Sequence, residues 1–278
     1  MQAIRYFFEA IKVEHTVFAL PFAYLGMVLA ARGWPGWHAF FWITVAMIAA
    51  RTTAMAANRL VDRHVDARNP RTAGRHLPRG LLRSRDLALA AVLSAVLFVV
   101  AAWQLNPLCL ALAPVALVFL VGYSYAKFFT WTSHWILGLT DGAAAVGAWI
   151  AVRGTMELPA WLLWLAVTVW IAGFDLLYAC QDREFDRRER LYAVPARFGI
   201  PIALRAARVC HALTALTLAA VGWVMGLGFA YWLGWLVVVG LLVYEHSLVS
   251  ADDLSRLDVA FFNVNGYISV ITFLAALA

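Results

Sequence analysis

The sequence of residues 51–86 is RTTAMAANRLVDRHVDARNPRTAGRHLPRGLLRSRD. Asn58, Asp62 and Asp66 follow one another at intervals of four residues, so a helix would place their side chains on one face. Such a row of oxygen-bearing side chains suits a hard cation such as Mg²⁺. Nine arginines lie in the same stretch, and guanidinium groups beside a metal ion favour phosphate binding. Taken alone, a charged loop between two membrane helices would explain this stretch nearly as well.

The composition of the whole chain indicates a membrane protein with many spans. Of its 278 residues, 64% are hydrophobic and 14% are charged, and the mean hydropathy is +0.77. No soluble domain of this size is so apolar. The net charge of +6 comes from clustered arginines, which indicate membrane topology, so we expect no nucleic-acid partner. We expect the N-terminal segment MQAIRYFFEAIKVEH to be a short amphipathic lead-in, and the apolar run after it, which lacks a cleavage site, to belong to the first span.

Hydropathy predicts an all-α fold, with about nine transmembrane helices in a single domain over residues 1–278. The predicted spans are about 16–31, 38–57, 87–104, 107–125, 134–152, 159–181, 203–224, 229–247 and 258–277. Two polar motif segments lie at about 58–86 and 182–202. Arg and Lys concentrate at the N-terminus and in the loops after even-numbered spans, so we expect the N-terminus and both motif segments to be cytoplasmic. The expected location is the inner, cytoplasmic membrane.

The second polar segment repeats the arrangement of the first. Asp182 and Asp186 are four residues apart, and Asp175 precedes Asp182 by seven residues, or two turns on the same helical face. Asp175 lies in the apolar segment IAGFDLLYAC, where an ionisable group is costly and is a functional candidate. Several arginines follow, beginning at Arg183. Two acidic faces, each followed by arginines, are far more specific than one, and we interpret them as halves of one site.

The two acidic faces predict a metal-bound diphosphate. Facing carboxylates repel each other unless cations lie between them. Mg²⁺ commonly binds a few carboxylates together with substrate phosphates, and Arg and Lys would neutralise the remaining charge. Such a group stabilises a diphosphate as it leaves. A site at the ends of membrane spans suits a substrate with a charged head and a long apolar tail, such as a polyprenyl diphosphate.

These motifs resemble those of the UbiA superfamily of intramembrane prenyltransferases. The segment NRLVDRHVD is similar to the family's first motif at Asn58, Asp62 and Asp66, but Arg59 stands where the family has Asp, so no ligand is carried over there. The segment DLLYACQDREFD matches the second motif at Asp175, Tyr178, Asp182 and Asp186. The family's YxxxK motif is matched by Tyr123 and Lys127, with Phe128 in place of a common Arg.

Other segments extend the resemblance over nearly the whole chain. Arg51 occupies the place of an arginine common in the family, and NPRTAGRHLPRG resembles another family segment at Arg71 and Arg75, with His76 in place of Pro. The segments EHTVFALPFA (14–23) and DDLSRLDVAFFNVNG (252–266) are similar to the 4-hydroxybenzoate polyprenyltransferase-like branch. The resemblance implies an all-helical fold around a central cavity that the two motif segments cap, with a lateral opening for the prenyl tail.

The resemblance also implies roles for individual residues. The expected Mg²⁺ ligands are Asn58, Asp62, Asp66, Asp182 and Asp186, although a structural role is an equal alternative for Asp66. The expected diphosphate contacts are Arg51, Arg71, Arg75, Tyr123 and Lys127. Asp175 and Lys127 are the expected catalytic residues, with Asp175 either supporting the metal site or deprotonating the acceptor. Asp141, an acid within a predicted span, and Tyr178 are candidates for the acceptor cavity, and His15 for its mouth.

The implied function is Mg²⁺-assisted transfer of a polyprenyl group from polyprenyl diphosphate to a small aromatic acid. 4-Hydroxybenzoate, for ubiquinone synthesis, is the first choice of acceptor. A 1,4-dihydroxy-6-naphthoate-type acceptor in futalosine-route menaquinone synthesis is the alternative, because the motifs bind only the shared diphosphate. A secondary transporter is a remote alternative, since transporters also carry ionisable groups within spans. Membrane lipid is an expected partner, and no protein partner is indicated.

Overall fold

The structure, a computed structural model, describes residues 2–277 of the chain, except for the side chains of residues 2–4, 13–19 and 260–262. The predicted position of His15 at a cavity mouth therefore falls outside the described side chains.

All regular elements in the described part are helical, which confirms the all-α fold class. A 3₁₀ turn covers Ala179–Asp182 and a π-helical turn covers Val259–Val264. The α-helices are α1 Gln2–Ala10, α2 Val13–Ala31, α3 Trp37–Arg68, α4 Ser84–Leu105, α5 Pro107–Ala126, α6 Ser133–Arg153, α7 Leu158–Tyr178, α8 Arg183–Arg188, α9 Val194–Phe198, α10 Ile200–Met225, α11 Phe229–Ser247 and α12 Asn265–Leu277.

Seven helical segments of the described chain are long and apolar enough to cross a membrane. They are Trp37–Arg68, Ser84–Leu105, Pro107–Ala126, Ser133–Arg153, Leu158–Arg188, Ile200–Met225 and Phe229–Ser247. Two further apolar segments, Leu20–Ala31 and Asn265–Leu277, are shorter. The π-helical turn precedes α12 and leaves it 13 residues, about 20 Å in length, although the hydrophobicity predicted a span from about 258. The count of nine spans therefore stays a prediction.

Helix α3 carries the first motif beyond the bilayer core. Its 32 residues are about 48 Å long, whereas the hydrocarbon core is about 30 Å thick. Its last three turns hold Asn58, Asp62 and Asp66. We call this end of the bundle the motif end: α3, α5, α7 and α11 finish there, and α4, α6 and α10 begin there. The sequence predicted these residues in a polar segment at about 58–86, and the structure shows that its first 11 residues, 58–68, belong to α3.

Helix α6 packs closely against α2 and α7, because glycines allow their backbones to approach. A Cβ atom on Gly26 of α2 would lie 2.0 Å from the carbonyl oxygen of Ala145, and one on Gly138 of α6 would lie 2.2 Å from that of Thr168. Small residues at helix interfaces are the usual means of close packing in membranes. Leu163 and Leu176 of α7 are fully buried, and this close packing fixes α6 and α7, the helices that carry Asp141 and Asp175.

The turn between α4 and α5 is fixed by one side chain. Asn106 caps α5 by accepting a hydrogen bond from the Cys109 amide at 2.9 Å, and Pro107 occupies the first turn, where its missing N–H costs nothing. The Asn106 amide donates to the carbonyl oxygens of Ile150 and Ala151 near the end of α6. This contact ties the α4–α5 hairpin to α6 at the end opposite the motifs. Many apolar side chains of α4 and α5 are exposed, as expected for a surface that faces lipid.

Candidate active site

The first motif meets the end of α5. The amide of Asn58 donates to Asp62 Oδ2 at 3.0 Å and to Ser124 Oγ at 3.3 Å. Lys127 Nζ lies 2.6 Å from the same Asp62 Oδ2. Asp62 is buried, and its other oxygen, Oδ1, has no hydrogen-bond partner within the described part of the chain. A buried oxygen without a donor is costly, so Oδ1 is an available ligand atom.

The turn after α3 folds back over the last acid of the first motif. Arg75 Nη1 lies 2.7 Å from both carboxylate oxygens of Asp66, and the hydroxyl of Thr72 donates to the Asp66 carbonyl at 3.1 Å. Asp66 is buried under this turn. Its carboxylate therefore holds the turn that presents the motif arginines, which favours the structural alternative over metal ligation.

Asp182 joins the second motif to the first. Its carboxylate accepts hydrogen bonds from Asn69 Nδ2 at 3.0 Å and from Arg71 Nε at 2.9 Å, and Arg71 Nη2 also contacts it. Arg71 Nη1 donates to the Tyr178 hydroxyl at 3.1 Å, and the guanidinium carbon lies 5.2 Å from the centre of that ring. Burial lowers the pKa of Arg71, but its hydrogen bond to Asp182 and the charge of that carboxylate outweigh burial and raise the pKa above its usual value.

A second ion pair also spans the two motif segments, between Arg68 Nη2 and Glu189 Oε2 at 2.8 Å. Asp186 is half-buried within electrostatic range of Asp182, Lys127 and Arg71. Since Lys127 pairs with Asp62, this neighbourhood includes carboxylates from both motifs. The two polar segments therefore converge, as their matching patterns predicted.

The second motif is not one continuous α-helix. Helix α7 ends at Tyr178, and a 3₁₀ turn carries the chain to Asp182. A 3₁₀ turn has about three residues per turn, so it rotates later side chains away from the α-helical register. The expected common face of Asp175 and Asp182 is accordingly divided: Asp182 contacts Arg71, whereas Asp175 Oδ2 lies 2.6 Å from His134 Nδ1 on α6.

Arg59, which departs from the family motif, joins α3 to the end of α1. Its Nε donates to the carbonyl oxygen of Ala10 at the end of α1 at 2.9 Å, and its Nη1 reaches Asn58 Oδ1 at 3.3 Å. The side chain is buried. Arg59 therefore anchors the N-terminal helix against α3, and the change from Asp to Arg replaces a possible ligand with a structural contact.

A second cluster of polar side chains lies inside the helix bundle, away from the motif end. Arg51 and Asp141 are within electrostatic range of each other and of Tyr123, and Asp175 is within range of Asp141. Arg51 Nε is buried and has no hydrogen-bond partner among the described residues. Arg51 precedes Asn58 by seven residues, about 10 Å along α3. The structure therefore brings Arg51 together with a candidate acceptor residue, whereas the other predicted diphosphate cations, Lys127, Arg71 and Arg75, lie at the motif end.

The donor atoms at the motif end have the chemistry of a Mg²⁺ site. They are carboxylate and amide oxygens, which are the ligands of hard cations, and the buried Asp62 Oδ1 has no other donor. In the described part of the chain, no three acidic, histidine or cysteine side chains are close enough to chelate one ion. Lys127, Arg71 and Arg75 instead neutralise Asp62, Asp182 and Asp66, respectively.

Three contact residues were missed from the sequence. Asn69 and Ser124 each bind a motif residue, and His134 binds Asp175. Asn69 precedes a proline and Ser124 follows the motif tyrosine, so their proximity to the motifs was the only signal available. His134 is a single histidine near the start of an apolar helix, a position without a distinctive pattern.

The fold and the convergent acids and cations define a multi-pass membrane protein with an enzyme-like polar site at one end of its helices. Comparison with known sequences identifies its class. The chain belongs to the UbiA prenyltransferase family, whose sequence model matches residues 19–267, and it is an intramembrane prenyltransferase. This match confirms the family resemblance and excludes the transporter alternative.

Curated relatives and solved structures agree with this assignment. The chain is 33% identical over 247 residues to the 4-hydroxybenzoate octaprenyltransferase of Aeromonas salmonicida, covering 88% of this chain and 84% of the relative. It is 30% identical over 255 residues to the enzyme of that name from Aliivibrio fischeri, covering 90% and 87%.

The fold is similar to that of an apo UbiA homolog from Aeropyrum pernix, with a TM-score of 0.86, 29% identity and 94% and 96% coverage of the two chains. A UbiA homolog from Archaeoglobus fulgidus bound to GPP and Mg²⁺ shares the fold, with a TM-score of 0.72, 19% identity and 98% and 99% coverage.

Proposed function

We propose that this enzyme transfers a polyprenyl group from polyprenyl diphosphate to 4-hydroxybenzoate. The observation that carries the proposal is the junction of the two acidic motifs, where Arg71 binds Asp182 and Lys127 binds Asp62. The names of the two relatives above support 4-hydroxybenzoate as the acceptor. The GPP and Mg²⁺ in the homolog with the same fold support a prenyl diphosphate and a divalent cation.

Asn58, Asp62, Asp182 and Asp186 are the proposed Mg²⁺ ligands, directly or through water. Asp66 stays in the proposed site as a supporting group that holds Arg75. Mg²⁺ bound among these oxygens would neutralise the diphosphate and stabilise it as a leaving group. Asp62 fits this role because Lys127 and Asn58 share its Oδ2 and leave Oδ1 available.

The cations of the site are proposed to exchange partners. Arg71 and Lys127 neutralise Asp182 and Asp62, respectively. A diphosphate head offers these cations new oxygens, since guanidinium and ammonium groups bind phosphate well. Asp182 and Asp62 would then become available to a divalent cation. Diphosphate and Mg²⁺ should consequently bind with positive coupling, and the coupling must be the same from either side.

The proposed reaction begins with cleavage of the bond between the allylic carbon and the diphosphate oxygen, and the diphosphate keeps the electron pair. A ring carbon of the acceptor next to its hydroxyl attacks the allylic cation, and a proton then leaves that carbon. Asp175 is the proposed proton acceptor, because its side chain is 28% exposed and lies within electrostatic range of Asp141. Arg51, Tyr123, Asp141 and Tyr178 are proposed to surround the head groups, and the apolar interior excludes water that would quench the cation.

We also propose the orientation and the membrane. The arginine-rich motif end faces the cytoplasm in this proposal, in agreement with the positive-inside rule. The membrane is then the inner membrane of a cell that makes a prenylated quinone.

The test is a competition assay in membranes that contain the overproduced enzyme. Geranyl diphosphate, Mg²⁺ and equal concentrations of 4-hydroxybenzoate and 1,4-dihydroxy-6-naphthoate are supplied, and products are identified by mass. We expect prenylated 4-hydroxybenzoate, its loss with EDTA, and its loss in Asp182→Ala. Prenylated naphthoate as the main product would replace the proposed acceptor. Failure to release diphosphate with either acceptor would overturn the proposed activity.

A further inference from the structure

We infer that His134 is a positioning residue that orients Asp175 to receive the proton from the acceptor ring. This inference rests on the proposed function, because it concerns the same reaction. It assigns a role to a residue outside both acidic motifs. The evidence is a chain of two hydrogen bonds that runs from the loop after the second motif, through the His134 ring, to the Asp175 carboxylate.

The hydrogen bonds determine which ring nitrogen of His134 carries a proton. The backbone N–H of Val194 lies 3.2 Å from His134 Nε2, and an amide N–H can only donate. Nε2 is therefore the acceptor, and the neutral ring has its hydrogen on Nδ1. Nδ1 lies 2.6 Å from Asp175 Oδ2, so it donates to the carboxylate. One backbone amide thus sets both the tautomer and the direction of the second hydrogen bond.

The burial of the two partners differs in a way that fits this role. The His134 side chain is 4% exposed, whereas the Asp175 side chain is 28% exposed. The hydrogen bond holds Oδ2 on the buried His134 ring. A carboxylate anchored through one oxygen keeps the other as a proton acceptor in a fixed orientation.

The same ring connects Asp175 to the diphosphate end of the site. Tyr192 N donates to the carbonyl oxygen of Lys127 at 2.7 Å, and Ser133 Oγ donates to the Tyr192 carbonyl at 3.3 Å. The segment 192–194 therefore runs along the connection between α5 and α6, from Lys127 to His134. Closure of the motif segments on a diphosphate would act on Val194 and so on the orientation of Asp175.

The experiment compares His134→Leu with His134→Gln in the full-length enzyme. Leu removes both hydrogen bonds, whereas the Gln amide can donate to Asp175 and accept from the Val194 N–H. His38→Leu, at an exposed histidine on the opposite end of the bundle, is the matched control. For each protein, kcat, the KM for geranyl diphosphate, its Mg²⁺-dependent binding and thermal unfolding in detergent are measured. The kinetic isotope effect on 4-hydroxybenzoate deuterated next to the hydroxyl is also measured.

We expect His134→Leu to lower kcat about 100-fold, the scale of a misplaced general base, while donor binding stays within about twofold of the wild type. Slow loss of the ring proton should produce a primary isotope effect that the wild type lacks. His134→Gln should recover most of kcat and lose the isotope effect, and His38→Leu should behave as the wild type. Asp175→Asn, nearly the same size as the native residue, should show the His134→Leu signature even if Leu at 134 impairs folding.

The inference fails if His134→Leu and Asp175→Asn keep the wild-type kcat, or if they lose kcat without an isotope effect. It also fails if donor binding and kcat fall together, because a purely structural role would affect both. A wild-type enzyme that forms no prenylated acceptor is a separate result, since it overturns the proposed function before any variant is compared.

Discussion

Replacing Asp62 with Asn tests the proposed metal site at Asp62 Oδ1, the carboxylate oxygen that is available to bind a cation. In the native chain, Asp62 Oδ2 accepts from Asn58 and contacts Lys127 at 2.6 Å, and Oδ1 is buried without a partner. An Asn side chain can keep its oxygen in the Oδ2 position and so preserve both contacts. Its NH₂ group then occupies the Oδ1 position, where a hydrogen-bond donor cannot bind a cation.

The expected loss of activity is much larger than the expected loss of stability. The gross attraction between Lys127 and Asp62 is about 6 kcal/mol at an effective dielectric constant of about 20, but the cost of desolvation offsets most of it. Lys127 is 31% exposed and Asn still accepts its hydrogen bond, so the free energy of unfolding should fall by only about 1–2 kcal/mol. Loss of one electrostatic contact to the leaving group costs about 3–4 kcal/mol in the transition state, or about 10²–10³ in kcat.

The assay is release of diphosphate from geranyl diphosphate at a series of Mg²⁺ concentrations, with thermal unfolding measured on the same purified protein. Asp62→Asn should raise the half-saturating Mg²⁺ concentration and lower kcat by the stated factor. Glu184→Gln, at a carboxylate in the second motif segment that is 66% exposed, is the matched control and should keep wild-type kinetics. Wild-type Mg²⁺ dependence in Asp62→Asn would refute the assignment of Asp62 as a ligand.

Three further substitutions test other parts of the structure. Gly138→Ala should lower the midpoint of thermal unfolding, because the added methyl group overpacks against α7 at a cost of about 1–3 kcal/mol. Gly147→Ala, on the same helix, meets open space and should leave the midpoint unchanged. Equal shifts of the midpoint in the two variants would contradict the close contact between Gly138 and Thr168. Arg71→Lys loses the forked contact with Asp182, so the KM for prenyl diphosphate should rise about 10-fold, and an unchanged KM would argue against phosphate binding. Arg59→Met should expose α1 to limited proteolysis, because it removes the hydrogen bond to the Ala10 carbonyl oxygen; unchanged proteolysis would contradict this anchoring role.

The local features of the site were predictable from the sequence, because they depend on helical spacing. The four-residue intervals predicted the common face of Asn58 and Asp62, and the structure joins these two side chains on α3. Hydropathy likewise predicted α4 and α5 to within a few residues, since long apolar runs leave little choice of element. Asp182 and Arg71, in contrast, are 111 residues apart, and neither spacing nor composition specifies such a pair.

The change of backbone at Tyr178 also could not be predicted from the sequence. The seven-residue interval between Asp175 and Asp182 fits two α-helical turns, but a 3₁₀ turn interrupts the helix between them. The residues on the two sides of this turn make tertiary contacts that cannot be read from the sequence. Before the turn, Asp175 binds His134 on α6; after it, Asp182 binds Asn69 and Arg71. The local periodicity thus predicted the contact between Asn58 and Asp62, but not the different directions of Asp175 and Asp182.

The structure separates two functions that the nine arginines of residues 51–86 could share. Arg71 and Arg75 are held on motif carboxylates, and Arg68 joins the two motif segments. Other members of the set, Arg79, Arg83 and Arg85, are exposed and form no ion pair within the described chain. An arginine that only oriented the chain would need no fixed partner, since the positive-inside rule depends on charge near the membrane and not on geometry. The fixed positions of Arg71 and Arg75 therefore support their proposed role in phosphate binding, whereas Arg79, Arg83 and Arg85 fit a role in topology.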